Sequence, residues 1–387
     1  MKFEKKNHPA LSFWEVDTFF KKLDVIIIGS GIVGLNAAIT LKEERPKWSV
    51  AVLEKGVLPS GASTRNAGFA CFGSMTELLD DAKESGEEAM LALVEKRWLG
   101  LQRLRQRVGD QGLDYRDYGS YELFMENEEE SFELCLEKRI QLNKQLCEVI
   151  GRSEVFSEKN SALSRLGFNK AKYLIYNSAE GQIDTGKMMQ SLLQLAREKG
   201  VQLYNGCHVE RVSEEGKGAS VICENGWELK ASKILICNNG FAKSLLPDLD
   251  VQPARNQVLI TKPIPSLKIK GCFHYDSGYY YFRNVGDRVL LGGGRHLAKT
   301  EETTTQFQTT EKIKTALVEL LQEVILPEQE VTVERWWSGI LGVGKTKAPI
   351  VERISPSVFA AVRLGGMGIA IGSLTGEEGA RLLLENK

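Results

Sequence analysis

The first residues that could do chemistry are three glycines and one acid near the start of the chain. Gly29, Gly31 and Gly34 have the spacing Gly-x-Gly-x-x-Gly, and Glu54 stands twenty residues after the last of them. Such a turn brings backbone N–H groups close to a pyrophosphate, and the helix that follows adds its positive end. A carboxylate at position 54 would accept hydrogen bonds from a ribose hydroxyl and would repel a 2′-phosphate. The pattern predicts a dinucleotide site and disfavours NADP.

The segments around this turn are those that a dinucleotide site requires. An apolar run over 24–28 predicts a strand, residues 35–44 predict a helix, and residues 49–54 predict a second strand. Because both strands and the acid are in register with the glycines, the motif is strong evidence. The alternative, a glycine-rich turn in an ordinary parallel sheet, is less favoured.

Three further stretches could wrap an extended cofactor. Residues 60–68 form a loop of small side chains around Arg65, which suits close contact between backbone N–H groups and a cofactor. A buried strand over 233–237 leads into Asn238 and Gly240. The last strand, 358–364, leads into Gly365–Gly368 and a helix over 371–384, whose N-terminus could face the electron-rich end of a reduced flavin. The alternative for this last turn is a second packing turn in a parallel sheet.

Composition limits the class of protein. The chain has 387 residues, enough for two domains, and a formal net charge of −1, so no global field attracts nucleic acid or an anionic membrane. No apolar run approaches the length of a membrane span, and residues 1–22 lack the pattern of a signal peptide. The seven cysteines include no Cys-x-x-Cys, which predicts reduced thiols in a cytoplasmic protein. The four histidines are too scattered along the chain to predict a metal site.

The remainder of the chain alternates between helical and strand-rich stretches. Apolar positions recur at helical spacing within 75–167, and short strands over 201–231, joined by glycine turns, predict a β-meander. Residues 278–283 and 288–294 predict paired strands, and 311–324 predict an amphipathic helix. A meander placed before a buried strand that ends in glycine is more typical of a flavoprotein than of an NAD dehydrogenase.

Taken together, these residues resemble the D-amino-acid oxidase and glycine oxidase superfamily of FAD-dependent oxidoreductases. Four blocks carry the resemblance: Gly29–Gly34 with Glu54, Gly61–Gly68, Ile236–Gly240 and Gly365–Gly368. Residues 63–68, 244–257 and 337–349 look most similar to the branch of γ-glutamylputrescine oxidoreductase-like amine oxidases.

The resemblance implies a fold and a division into domains. The expected fold is α/β, with a Rossmann-like FAD-binding domain and a smaller α+β substrate domain built on a mixed sheet. The FAD-binding domain is expected at 1–78, 166–250 and 337–387, and the substrate domain at 79–165 and 251–336.

The resemblance also implies where cofactor and substrate bind. Non-covalent FAD is expected, because 336–347 contains no cysteine and 63–66 no histidine, the residues through which relatives attach flavin. Tyr279, Tyr281 and Arg283 are the candidate catalytic residues, on an aromatic wall over the flavin, although alternation along a strand explains each of them equally well. The residues expected to bind FAD are Gly29, Gly31, Ile32, Val33, Gly34, Glu54, Lys55, Gly61, Ala62, Ser63, Arg65, Asn66, Ala67, Gly68, Val209, Asn238, Gly240, Gly342, Gly366, Met367, Gly368 and Ile369.

Two departures from the family pattern bear on the substrate and on the electron acceptor. Leu341 stands where glycine-oxidase-like members carry an arginine that clamps the substrate carboxylate, which disfavours a free amino acid. Leu290 stands where sarcosine oxidases carry the lysine that activates oxygen, so the acceptor is oxygen or another electron acceptor.

The function implied by the resemblance is oxidation of a small amine or N-substituted amino compound. A hydride passes from the carbon that bears the amine to flavin N5, which gives an imine that hydrolyses. One alternative is an FAD-dependent 2-hydroxy-acid dehydrogenase that uses His274 or His296 as its base. Another is a flavin-binding protein without catalysis.

Overall fold

The computed structural model describes residues 11–327 and 329–385, and helices and strands alternate along these ranges. The helices are α1 (Phe13–Phe19), α2 (Ile32–Glu44), α3 (Met75–Ser85), α4 (Glu87–Leu113), α5 (Glu129–Ile150), α6 (Leu163–Leu166), α7 (Thr185–Glu198), α8 (Glu311–Leu320) and α9 (Gly368–Glu385). The strands are β1 (Leu23–Ile28), β2 (Val50–Leu53), β3 (Phe69–Ala70), β4 (Ser120–Met125), β5 (Phe156–Glu158), β6 (Ala171–Asn177), β7 (Gly181–Gln182), β8 (Gln202–Tyr204), β9 (Val209–Glu215), β10 (Gly218–Cys223), β11 (Glu228–Ile236), β12 (Gln252–Thr261), β13 (Cys272–Tyr275), β14 (Tyr280–Val285), β15 (Arg288–Gly293), β16 (Val333–Val343), β17 (Ile350–Arg353) and β18 (Val358–Val362).

The first sheet contains the dinucleotide motif. Its strands run in the order β17-β18-β11-β1-β2-β8, with β10 beside β11 and β9 beside β10. The five strands β18, β11, β1, β2 and β8 are parallel to one another. Ile26, Ile27 and Val52 are fully buried, which shows that the central strands are covered on both faces. Burial on both faces explains why their sequences are continuously apolar rather than alternating.

Different layers cover the two faces of the first sheet. On one face, Val25 and Ile27 share an apolar cluster with buried residues of α2, α4, α7 and α9. On the other face, Ile26 and Ile28 pack with residues of the antiparallel strands β9 to β11. The arrangement leaves the carboxyl ends of β1, β2 and β11 at one edge, where ligands bind in open α/β sheets.

The second sheet has the strand order β16-β12-β15-β14-β13-β4-β6-β5. All of its pairs are antiparallel except β4 with β13, so the sheet is mixed. The register of the parallel pair sets His274 opposite Glu122 and Cys272 opposite Ser120. This pairing brings polar residues from distant parts of the chain onto neighbouring strands.

The predicted fold class is confirmed, but several details differ. β8 pairs in parallel with β2 instead of joining the meander. β11 runs unbroken over Glu228–Ile236, so it combines the last meander strand with the buried strand predicted at 233–237. The predicted domain boundaries stay predictions. β6 pairs with β4 in the second sheet beyond the boundary at 166, and the boundary at 337 falls inside β16 of that sheet. Local composition does not mark strands whose partners are distant in sequence.

The length and hydropathy of the described helices bear on whether one of them could span a membrane. Within 11–327 and 329–385, none is both long and apolar enough to cross a membrane.

Candidate active site

The turn after β1 has the geometry that its glycines predict. Gly29 has a φ of +105°, a left-handed value that a side chain disfavours. An ideal Cβ on Gly34 would lie 2.0 Å from the carbonyl oxygen of Gly29, so only glycine lets α2 pack this close to β1. α2 begins at Ile32, and its N-cap residue, Gly31, makes no side-chain capping hydrogen bond. The N-terminus of α2 therefore offers backbone N–H groups to an anion.

Glu54 directly follows β2 and is held by four hydrogen bonds. Its Oε2 accepts from the backbone N–H of Ser30 at 3.2 Å and from Ser30 Oγ at 2.7 Å. Its Oε1 accepts from the N–H of Gly56 at 3.0 Å and from Ser60 Oγ at 3.3 Å. The acid is thus fixed beside the glycine turn, in the place predicted for a ribose partner.

A cavity of about 1080 Å³ runs from the carboxyl ends of β1 and β2 to the face of the second sheet. Every residue expected to bind FAD lines it except Gly34 and Gly342. Gly34 instead allows α2 to pack closely on β1, as described above. A Cβ on Gly342 would come within 2.5 Å of Asn239 Oδ1, so this glycine permits close packing of β16 rather than contact with a ligand. The volume is at the upper end of the range for small-molecule sites and suits a dinucleotide with a substrate.

The loop of small residues is braced against the second sheet through Arg65. Its Nε donates to the carbonyl oxygen of Ser60, and its Nη1 donates to that of Ser338, both at 3.0 Å. In return, Trp337 Nε1 donates to the carbonyl oxygen of Arg65 at 2.9 Å. The guanidinium also lies over the ring of Phe307, 4.4 Å from its centroid. Arg65 therefore fixes the loop that forms one wall of the cavity.

Two of the three residues predicted for the substrate wall lie outside the cavity. Tyr279 is 46% exposed, and its ring contacts His296. Arg283 is buried and points under the small-residue loop, where it donates hydrogen bonds to the carbonyl oxygens of Ala67, Ile183 and Asn284. Alternation along a strand predicts that both residues share a face with Tyr281. β14 begins only after Tyr279, so Tyr279 is not part of the strand. Arg283 is part of it, but its guanidinium binds backbone carbonyl oxygens. A catalytic role for Tyr279 and Arg283 stays a prediction, and neither side chain lines the cavity.

Tyr281 does line the cavity, at its end against the second sheet. Its ring packs edge-on against Phe69, with the centroids 5.7 Å apart. Burial raises the pKa of Tyr281 to about 12, so the phenol remains protonated at neutral pH. Leu341 and Asn256 belong to the same lining. The side chain at position 341 offers no partner for a carboxylate, which agrees with the sequence prediction.

A group of polar residues lies at this end, and the sequence alone singles out only His274 among them, as a possible base. Glu77, His274 and Cys71 all line the cavity. His274 Nδ1 lies 3.8 Å from Glu77 Oε2, and His274 Nε2 lies 3.7 Å from Glu180 Oε2. Ligand atoms of Cys71, Glu180 and His274 lie within 4.8 Å of one another, so His274 is less isolated than its position in the sequence indicated. The pairing of β13 with β4 places His274 beside Glu122, and a hydrogen bond from Ser120 of β4 holds Glu180 there. No local sequence motif predicts these long-range contacts.

Burial and neighbouring charges shift the pKa values of the residues in this polar group. Burial alone would lower the pKa of His274, but the carboxylates of Glu180, Glu77 and Glu122 raise it above its usual value. Burial raises the pKa of Glu122, while hydrogen bonds from Thr76 and Ser74 oppose the rise. Burial also raises the pKa of the Cys71 thiol well above its usual range. His274 is therefore a protonatable group beside the cavity, and Cys71 is a neutral thiol.

Several features test whether the cavity fits a flavin dinucleotide. The glycine turn and the N-terminus of α2 provide N–H groups for phosphates, and Glu54 provides a ribose partner. Asn238 Oδ1 is buried at the cavity and has no hydrogen-bond donor among the described residues, so it is available to a ligand. The residues Gly366–Ile369 bring the N-terminus of α9 to the opposite wall. These features fit FAD.

Comparison with known proteins agrees with this assignment. A family model described as FAD dependent oxidoreductase (DAO) matches residues 24–382. The chain therefore belongs to this family of FAD-dependent oxidoreductases, which confirms the predicted superfamily and FAD as the cofactor.

Individual relatives are distant but span nearly the whole chain. A probable oxidoreductase OrdL from Rhizobium meliloti is 24% identical over 387 aligned residues, which cover 94% of this chain and 83% of the relative. The solved glycine oxidase of Geobacillus kaustophilus superposes with a TM-score of 0.75 at 20% identity, over 95% of both chains. The iminodiacetate oxidase of Chelativorans sp. BNC1 gives a TM-score of 0.74 at 20% identity, over 94% of this chain and 96% of that one. At these identities the structures establish a shared fold.

Proposed function

We propose that this protein oxidises a small amine or N-substituted amino compound with non-covalently bound FAD. One observation supports this most directly: a single cavity joins the dinucleotide turn at Gly29–Gly34 to a partly aromatic pocket at Phe69 and Tyr281. Relatives described as glycine oxidase, N-methyl-L-tryptophan oxidase and iminodiacetate oxidase act on amino compounds. FAD, when bound, supplies the acceptor for a hydride.

The residues of the chain provide orientation, exclusion of water and a place for a proton. Phe69, Tyr281 and Leu341 present mainly apolar surface, which keeps water from the reacting carbon. An amine must be neutral before it gives up a hydride, and His274 lies at the cavity as a group that can exchange a proton. The resulting imine hydrolyses in water. Oxygen or another electron acceptor would then reoxidise the bound FAD.

A second candidate is the oxidation of a 2-hydroxy acid. The position of His274 favours it, because the hydroxyl proton needs a base and this imidazole lines the cavity. Leu341 argues against it, since a hydroxy acid would bring a carboxylate with no partner at that position.

Anaerobic reduction of the FAD-bound protein separates the two candidates. We expect loss of the visible absorbance of oxidised flavin when amines are added and no change with 2-hydroxy acids. Bleaching by hydroxy acids alone would transfer the assignment to the second candidate. The same preparation tests non-covalent attachment, because acid denaturation should release the flavin into the supernatant as FAD.

We also propose a cytoplasmic location. All seven cysteines lie among the described residues and are free thiols, which supports a reducing compartment. Immunolabelling of fractionated cells tests this, and recovery of the protein with a membrane or outside the cell would contradict it.

A further inference from the structure

We propose that Glu77 forms a cation subsite in the substrate end of the cavity, so that the substrate is an amine that carries a second positively charged group. The subsite rests on the proposed amine oxidation and specifies its substrate class. A diamine is the simplest compound of this kind. Four properties of the described residues lead to this assignment.

The first property is the position of the Glu77 carboxylate. The side chain lines the cavity and retains 18% of its exposure. Its Oε2 accepts a hydrogen bond from the backbone N–H of Ser74 at 3.0 Å, as part of the capping box that starts α3. The helix start therefore fixes the carboxylate where a ligand in the cavity can reach it.

The second property is the room made for this carboxylate. Gly278 also lines the cavity, and an ideal Cβ on it would lie 2.8 Å from Glu77 Cδ and 2.9 Å from Oε1. Any side chain at position 278 would press on the acid, and the backbone there has a φ of +79°. Glycine at this position keeps the Glu77 carboxylate uncovered on the cavity side.

The third property is an excess of negative charge. Four carboxylates belong to this group, and they face three cationic residues: Glu77, Asp81, Glu122 and Glu180 against Arg97, Lys347 and protonated His274. Arg97 and Lys347 both pair with Asp81 and do not reach the cavity. Burial raises the pKa of Glu122 and so favours its neutral form, which leaves one negative charge uncompensated when His274 is neutral. A bound cation would neutralise it, because buried charges are stable only when paired.

The fourth property is an unfilled hydrogen-bonding position in the same place. His274 is 4% exposed, and its Nε2 has no hydrogen-bond partner among the described residues. The nearest charged atom, Glu180 Oε2, lies 3.7 Å away, beyond hydrogen-bond range. On a neutral imidazole this nitrogen can accept a hydrogen bond from an ammonium group, and a buried polar atom without a partner indicates that a ligand or water completes the site.

Apart from protonated His274, the described residues give a substrate carboxylate no cationic partner in this part of the cavity. Leu341 is apolar, and the Arg283 guanidinium is directed to three backbone carbonyl oxygens outside the cavity. The carboxylate of a free amino acid placed near Glu77 would meet a like charge. The geometry therefore favours a cationic group over an anionic one.

The test uses the full-length protein loaded with FAD and three ligands of the same chain length. These are 1,4-diaminobutane, butylamine and 4-aminobutanoate, and their binding is followed anaerobically through the flavin spectrum. The variant is Glu77→Gln, which keeps the shape of the side chain and can keep the capping hydrogen bond. The matched control is Glu15→Gln, which makes the same change in the Ser12–Glu15 capping box of α1, away from the cavity.

We expect the wild-type protein to bind the diamine at least about tenfold more tightly than the monoamine. A tenfold difference in dissociation constant corresponds to about 1.4 kcal/mol, and a charge pair in a partly buried site contributes more than this. Glu77→Gln should weaken binding of the diamine far more than binding of the monoamine and so remove this preference. Glu15→Gln should behave as the wild type. The amino acid should bind more weakly than the monoamine in the wild-type protein.

The outcomes separate the subsite from the proposed reaction. If amines reduce the flavin but the diamine preference is missing, or persists in Glu77→Gln, the subsite is overturned and the reaction stands. If no amine reduces the flavin while the diamine still shifts its spectrum in a Glu77-dependent way, the subsite stands and the reaction fails. A stoichiometric divalent metal in the purified protein that is lost in Cys71→Ser would also overturn the subsite, because the ion would already supply the missing positive charge.

Discussion

The closest backbone approach in the cofactor turn predicts a large effect from a single methyl group. In Gly34→Ala the new Cβ would lie 2.0 Å from the carbonyl oxygen of Gly29 and 3.2 Å from Ile27 Cγ2. Since real Cβ contacts are not shorter than 3.0 Å, α2 must move away from β1 by at least about 1 Å. We expect the apoprotein to lose about 3 kcal/mol of stability, the upper range for overpacking a core. The FAD dissociation constant should rise at least about tenfold, because the shift displaces the N–H groups of the helix start.

A matched substitution separates steric strain from the general effect of losing a glycine in this region. Gly61 has a φ of −78°, and a Cβ there would have no protein atom within 4 Å. Gly61→Ala should therefore leave the melting temperature of the apoprotein unchanged, although the methyl group enters the cavity. Differential scanning calorimetry of both apoproteins and titration with FAD provide the comparison. A Gly34→Ala protein that melts like the wild type and retains FAD would refute this account of the turn.

Three further substitutions test other parts of the site. Arg283→Met should destabilise the protein by about 3 kcal/mol or more, because three carbonyl oxygens lose their donor, and the loss should appear in thermal melts with and without FAD. Leu341→Arg should tighten binding of amino acids such as glycine about tenfold, because the guanidinium can form a charge-assisted hydrogen bond to the carboxylate. Anaerobic flavin titration measures this, and unchanged binding would show that position 341 does not face the substrate. His274→Gln should flatten the dependence of stability on pH. Because the folded pKa of His274 is raised, the stability from its protonation is complete below its ordinary value of 6.5 and is lost as pH rises through the folded value. Melting temperatures of both proteins from below pH 6.5 upward would reveal this difference, and parallel curves would contradict it.

The cofactor half of the molecule was predictable because its signals are local. The spacing of Gly29, Gly31 and Gly34 determines the turn, and the strand that leads to Glu54 lies within the same short stretch of sequence. The positive φ of Gly29 and the contact of Gly34 with Gly29 are both steric reasons that lie within this stretch. The structure accordingly places nearly all residues expected to bind FAD on one cavity.

The substrate half was harder to predict, because its residues meet through long-range pairing. Glu77 starts a helix, Glu180 precedes β7, and His274 lies on β13, so no window of sequence contains two of them. The parallel register of β4 with β13 sets His274 opposite Glu122. Hydrogen bonds from Ser74 to Glu122 and from Ser120 to Glu180 hold the segments of the other two residues against β4. The position of Tyr279 has a related origin, since β14 begins two residues later than the predicted strand and Tyr279 lies in the turn before it, where alternation does not apply.

The central claim is that FAD in this cavity accepts a hydride from an amine, and one measurement tests it most directly. The purified protein, loaded with FAD, is mixed without oxygen with a panel of mono- and diamines, and the visible spectrum is recorded over time. The account predicts saturable bleaching of the oxidised flavin bands and the appearance of the corresponding aldehyde or ketone after hydrolysis. A protein that binds FAD but keeps its oxidised spectrum with every amine, or that is bleached only by 2-hydroxy acids, would contradict the claim.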